Sequence, residues 1–154
     1  MAVHRQLVGF RIGKEHFGVD IAQVQEIVRV PEVTPVPEAP WFVEGVINLR
    51  GRIVPVVDFR KRLKLGVAER TRSSRVLIVE LDKRLVGLLV DAASEVLKLP
   101  QEAVEPPPEL VSSIGTEYIT GVGKWGDRLI ILLDLGKVFS PEEVKRLEAG
   151  EGIR

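Results

Sequence analysis

The chain has 154 residues, with 22 Lys plus Arg against 22 Asp plus Glu, so no net field draws it to nucleic acid or to an anionic membrane surface. It has no cysteine, which excludes disulfides, thiolate nucleophiles and cysteine-ligated metals and fits a reducing compartment. Every apolar run is far shorter than the roughly 20 residues of a membrane span, and the opening MAVHRQLVGFRIG lacks the apolar stretch of a signal peptide. A soluble, unprocessed cytoplasmic protein with no membrane insertion is expected.

In chain order, residues 7–12 and 17–21 form two Val-, Ile- and Phe-containing runs joined by Gly-Lys-Glu-His, a polar linker with the chemistry of a tight hairpin. Asp20 then stands where it can cap a short helix sharing Ile21, Val24, Ile27 and Val28 on one face, with an irregular turn as the alternative. The stretch PEVTPVPEAP, residues 31–40, is too poor in backbone donors to be a central strand. Residues 46–49, 53–59, 76–81, 85–90 and 129–135 are further strand-length apolar runs bounded by Gly, Pro, Asp or Lys, and Asp-Lys-Arg at 82–84 is a second hairpin turn. At the end, Ser140-Pro141-Glu142-Glu143 puts a capping serine, a first-turn proline and a glutamate in capping-box spacing. A helix over 141–149, closed by Gly150, follows, with Val144 and Leu147 as its apolar edge.

An internal repeat emerges at a spacing of about seventy residues, too long for a solenoid unit. GVINLRGRIVPVVDF (45–59) aligns without a gap to GVGKWGDRLIILLDL (121–135), and FGVDIAQVQEIVRVP (17–31) resembles VGLLVDAASEVLKLP (86–100) with small gaps. Each half also carries a proline stretch, 31–40 and 106–108. Two similar β units are the reading, against chance likeness among Val-rich strands.

Catalytic constellations are missing. Gly121-Val122-Gly123-Lys124-Trp125-Gly126 matches GxGxxG, but an apolar strand pattern follows it where a phosphate site needs a helix, so it reads as a hairpin turn. The two histidines, His4 and His16, fall in a tail and at a turn. Ser73, Ser74, Ser112 and Ser113 sit in loop-like surroundings. Asp20, Asp58, Asp91 and Asp134 each end a strand-like run, the place of a capping aspartate, and no cluster of ligands suggests a metal or cofactor. The basic run 60–64, RKRLK, reads as a solvated turn with Phe59 its one aromatic neighbour. Apolar β surface without catalytic groups points to binding, by strand edges or by a groove between units.

Residues 45–60, GVINLRGRIVPVVDFR, closely resemble the signature of CheW-like domains, GV-x-NLRG-x-I-x-PV-x-DLR, with Phe59 in place of leucine. The stretches 17–27, 84–100 and 116–135 resemble that family's other motifs, in family order. The resemblance implies a mainly β fold: two intertwined five-stranded SH3-like barrels sharing a core, over 7–139, with a short C-terminal helix at 140–150. The barrels are expected at about 16–82 and at 83–139 plus strand 7–15, with flexible tails at 1–6 and 151–154.

The resemblance further implies a non-enzymatic, cofactor-free and metal-free adaptor, monomeric on its own. Its partners would be the cytoplasmic tip of methyl-accepting chemotaxis receptors and the regulatory, CheW-like domain of the chemotaxis histidine kinase, with recruitment to membrane-associated arrays and no nucleic acid. Receptor contacts carry over onto Val24, Glu26, Val33, Gly45, Asn48, Leu49 and Arg50, and kinase contacts onto Ile27, Arg52, Ile53 and Val54. Each has a rival: Val24 and Val33 as plain core, Gly45 as a positive-φ position, Arg50 as a prop bonding backbone carbonyls of its own hairpin. Trp41 and Trp125 match no motif position; packing over the barrel ends is expected, an interface anchor the alternative. Because NLRG in one half is GKWGD in the other, function-specific chemistry is expected at Asn48, Leu49 and Arg50. A barrel enzyme or nucleic-acid binder is the competing class, distinguished by turnover or by a DNA shift in place of partner binding.

Overall fold

A computed structural model describes residues 4–66, 69–107 and 118–152. The described residues form eleven strands in two sheets. One sheet runs β3 (Val24–Arg29), β6 (Arg75–Leu81), β7 (Arg84–Val90), β5 (Arg52–Asp58) and β4 (Val43–Leu49). The other runs β8 (Ala92–Pro100), β1 (His4–Ile12), β2 (Glu15–Asp20), β11 (Arg128–Leu133), β10 (Ile119–Trp125) and the two-residue β9 (Val104–Glu105). Apart from β9, these are the two five-stranded units expected.

Pairing registers make the duplication physical. Gly18 lies opposite Leu132 in the parallel β2–β11 pair, and Gly87 lies opposite Val56 in the parallel β7–β5 pair. The same registers equate β1 with β6, β8 with β3 and the β10–β11 hairpin with β4–β5. Even the proline stretches correspond: Thr34 bridges Val46, and Glu105 pairs Val122. Pro108 lies outside the described residues, as do Ser112 and Ser113.

The barrel boundaries differ from those expected. Glu15–Asp20 belongs with the C-terminal half, because its hairpin partner β1 and its parallel partner β11 are both there, and Arg84–Val90 belongs with the first barrel. The first barrel is therefore one continuous segment inserted into the second. Strand β1 begins at His4 and the last helix extends to Gly152, so neither end matches the expected tail limits.

Among the described residues, all four hairpin turns between paired strands have two-residue loops. In the first barrel Arg50-Gly51 and Asp82-Lys83 have positive φ at both positions, the type I′ pattern; in the second, Gly13-Lys14 and Gly126-Asp127 have it only at the first, the II′ pattern. The GxGxxG match is thus strand β10 leading into a turn.

The capped helix expected after Asp20 is a single 3-10 turn, Ile21–Gln23. The aspartate does accept from the Ala22 N–H at 2.9 Å. Val24–Arg29 is strand: its spacing fits a helix face, yet Val24, Glu26 and Val28 also alternate, and β6 takes up the backbone hydrogen bonds. Asp58 and Asp134 likewise cap one-turn helices, α1 (Phe59–Arg62) and α2 (Leu135–Val138). Helix α3 (Pro141–Gly152) has the expected capping box: the Glu143 N–H donates to Ser140 Oγ at 3.1 Å and the Ser140 N–H to Glu143 Oε1 at 2.8 Å.

The central core is shared between the sheets. Phe10, Phe17 and Val19 of one meet Val57, Leu77 and Leu88 of the other, and Phe139 and Leu147 close the cluster. Each barrel keeps a smaller interior of its own, Ile47, Val54, Val56 and Ile78 in the first and Leu7, Leu97, Leu99 and Ile130 in the second.

The basic run 60–64 is not a solvated turn. Arg60 pairs with Asp91, which also accepts from the Gly13 N–H at 2.7 Å, and Lys61 pairs with Glu44 at 3.2 Å. Arg62 forks onto Glu143 at 2.8 and 2.9 Å while donating to the Val138 carbonyl. The charges tie α1 to β8's entry and to α3, so the run is structural.

Candidate functional site

The first barrel's β4–β5 turn is the most exposed part of the resemblance-bearing segment. Arg50 adopts φ 50 and its side chain is 68% exposed. Left-handed backbone costs a non-glycine residue roughly 1 kcal/mol, so the turn holds a guanidinium where glycine would sit more easily. Asn48 Oδ1 accepts from the Gly51 N–H at 2.8 Å and pins the turn. Arg50 donates to both carboxylate oxygens of Glu26, at 3.0 and 2.5 Å, and not to backbone carbonyls of its own hairpin. Since β3 and β4 are the two outer strands of their sheet, this fork ties the open sides of the barrel together. Its hydrogen bonds hold the Glu26 carboxyl below, and the Arg50 guanidinium above, their ordinary ranges.

The remaining residues singled out by resemblance do not form one surface. Val24 packs half-buried on the shared core and Val33 on the first barrel's interior. Gly45 is buried, with φ 149, and a Cβ there would stand 2.2 Å from the Thr34 carbonyl oxygen, so its role is steric. Leu49 is buried and Val54 has no exposed surface at all, which removes Val54 as a partner contact and leaves Leu49 as interior packing. Ile27 and Ile53, 36% and 40% exposed, face outward from β3 and β5, and Arg52 is exposed beside Ile53.

Two residues of the same kind went unmarked by sequence motif. Val96 and Leu129 are 56% and 61% exposed and occupy, by register, the places of Ile27 and Ile53 in the second barrel. The repeat alignment, carried through residue by residue, would have found them. Trp41 is 56% exposed with its edge against Phe42, and Trp125 half-covers the second barrel's interior.

Among the described residues no three His, Asp or Glu side chains gather as a metal site, and no helix is long and apolar enough to cross a membrane. The Asp58 carboxyl is held above its ordinary range, first by burial and then by the charge of Glu44, against the pull of the Lys61 N–H bond at 3.2 Å. A raised carboxyl favours the neutral form, so its contribution to stability is complete below 3.8 and is lost as pH rises through the higher folded value. Asp58→Asn keeps the acceptor for Lys61 but cannot ionise. Urea unfolding of both proteins from pH 3.5 upward should therefore show wild type losing ground to the variant with rising pH; a constant difference contradicts this.

The geometry defines a protein class: a fused pair of SH3-like barrels offering charged and apolar side chains on exposed strand faces. The sequence profile of the CheW-like domain matches residues 6–143. Over 146 residues the chain is 39% identical to Chemotaxis protein CheW of Treponema pallidum, covering 92% of this chain and 86% of that protein. It is 40% identical over 139 residues to Chemotaxis protein CheW of Rhizobium meliloti, covering 90% of each. The crystal structure of scaffolding protein TtCheW from Thermoanaerobacter tengcongensis superposes with a TM-score of 0.82 at 38% identity, over 92% of this chain and 96% of that one. The chain belongs to the CheW-like domain family.

Proposed function

We propose that the protein is a non-enzymatic chemotaxis adaptor that couples methyl-accepting receptors to the chemotaxis histidine kinase at membrane-associated arrays, while itself residing in the cytoplasm. The single observation that carries the reading is the Arg50–Glu26 fork, held out to solvent on a strained turn within the segment that bears the family signature. The barrel's other strained turn, Asp82-Lys83, lies outside that segment, so it is the fork and not the strain that marks Arg50. Arg50, Glu26 and Asn48 form the receptor-facing group; an Arg fork already satisfied by one carboxylate is rigid and offers its outer edge to carbonyls or carboxylates at the receptor's helical tip. Ile27, Arg52 and Ile53 form the kinase-facing group, apolar β surface suited to another barrel of the same fold. Val24, Val33, Gly45 and Leu49 serve these surfaces from behind, by packing.

The two groups should separate by mutation. In co-sedimentation with receptor-bearing vesicles, Arg50→Ala is expected to weaken binding about tenfold while leaving binding to the kinase's CheW-like domain intact, and Ile53→Asp the reverse. Both side chains are exposed, so the variants stay folded. Wild-type protein that binds neither partner, or variants that lower both affinities equally, would sink the assignment.

A further inference from the structure

The duplication provides a built-in comparison of the two barrel interiors, and they are not filled alike. In the first barrel Ile78 has no exposed surface and packs with Leu49, Val54 and half-buried Leu85 and Val28. Register places Gly9 where Ile78 stands, since Gly9 faces Gly18 as Ile78 faces Gly87. By the same registers His16 takes the place of Leu85, and Ala93 that of Val24. Gly9 and His16 thus cut back or make polar the second barrel's own interior, while Ala93 shortens the wall on the shared-core side. The result is an open pocket of about 210 Å³ in the second barrel.

The lining divides into two chemistries. Phe10, Phe17, Leu97 and Ile130 form a buried apolar floor, with Trp125 at the side. Arg128 and His16 stand at the mouth together with Arg11, which is tied to the Gly13 carbonyl at 2.7 Å. Among the described side chains no carboxylate lines the pocket, and neither Arg128 nor His16 has a hydrogen-bond or ion-pair partner. His16 is the second residue of β2 and not part of a turn, which is why its imidazole reaches the pocket.

We propose that this pocket binds a small aromatic carboxylate, its ring against Phe10, Phe17 and Leu97 and its carboxylate on Arg128 and His16. An apolar, aromatic-walled floor under an unpaired guanidinium is what such a ligand requires: ring burial supplies affinity and the charge fixes orientation. The site lies in the second barrel, away from the Arg50 turn, so it stands or falls independently of the adaptor reading.

The test uses Trp41→Phe protein, in which Trp125 is the remaining tryptophan. Titration with benzoate, phenylacetate and 3-phenylpropanoate should give saturable changes in Trp125 emission, with half-saturation for the best of them at or below about 1 mM. Arg128→Ala should weaken that ligand at least tenfold, and neutral benzamide should bind correspondingly worse than benzoate. Gly9→Val, which restores the missing side chain, should abolish the response; if that variant fails to fold, Ala93→Leu fills the same space from β8 and decides. No saturable response to any of the three acids at about 10 mM, a response that survives filling of the pocket, or equal affinity for benzamide and benzoate overturns the proposal.

Discussion

Gly45→Ala is expected to destabilise the protein by about 3 kcal/mol or more, enough to threaten folding of a domain this size. A methyl group at residue 45 would lie 2.2 Å from the Thr34 oxygen and 2.7 Å from its carbonyl carbon, both backbone atoms that two hydrogen bonds to Val46 hold in place. The φ of 149 adds strain that no rotamer can relieve. The second barrel provides the control. At Gly121 the corresponding approach, to the Glu105 oxygen, is 3.0 Å, and a shift of a few tenths of an ångström suffices. Gly121→Ala should cost only about 1 kcal/mol. Equal losses for the two in urea unfolding would contradict the steric account. Loss of receptor binding in a Gly45 variant would accordingly report on folding and not on a missing contact.

Arg62→Ala is expected to cost about 2–3 kcal/mol and to release α3 before the rest of the fold. The guanidinium lies 5.0 Å from the Phe42 ring centre and 5.3 Å from that of Phe139, donates to the Val138 carbonyl, and forks onto Glu143. Removing it leaves that carbonyl without its side-chain donor and takes away cation–π contacts to two rings at once. A lysine has the charge but not the planar fork, so Arg62→Lys should recover less than half of the loss. Hydrogen exchange over residues 141–147 should rise in Arg62→Ala well before the β sheets exchange. Uniform acceleration throughout the chain would show instead that α3 is not a separable unit.

What could be read in the sequence follows from how local the signal was. All seven apolar runs hold a strand, because each is short, apolar and fenced by turn residues, though 17–21, 53–59 and 129–135 overrun theirs into a helical turn. The Ser140 box is local too, and it caps the helix where expected. Strand β3 was misread because Ile21, Val24, Ile27 and Val28 satisfy a helical period, and only the long-range pairing with β6 decides against it. Strand β10 was hidden behind its glycines, one of which, Gly123, makes room for Leu99: an added Cβ would meet the Leu99 side chain at 2.5 Å. The basic run at 60–64 looked solvated because its partners, Asp91 and Glu143, are distant in sequence.

At the site itself, the divergence between repeats pointed to Asn48, Leu49 and Arg50. The three divide by physical role: Asn48 locks the turn, Leu49 is interior, and Arg50 alone projects. Its partner Glu26 was marked as a candidate, but nothing local in the sequence joins residues 24 apart across the open side of a barrel. The same divergence, followed into the interior, exposes the Gly9 pocket, which no motif marks.

The adaptor account rests on simultaneous attachment. Its most direct test mixes the histidine kinase, receptor-bearing vesicles and this protein, pellets the vesicles, and follows both kinase in the pellet and its autophosphorylation. The account predicts that kinase joins the vesicles and comes under receptor control only when the protein is present, and that Arg50→Ala loses both effects together. Kinase that pellets and responds equally well without the protein, or protein that binds one partner only by displacing the other, would contradict it.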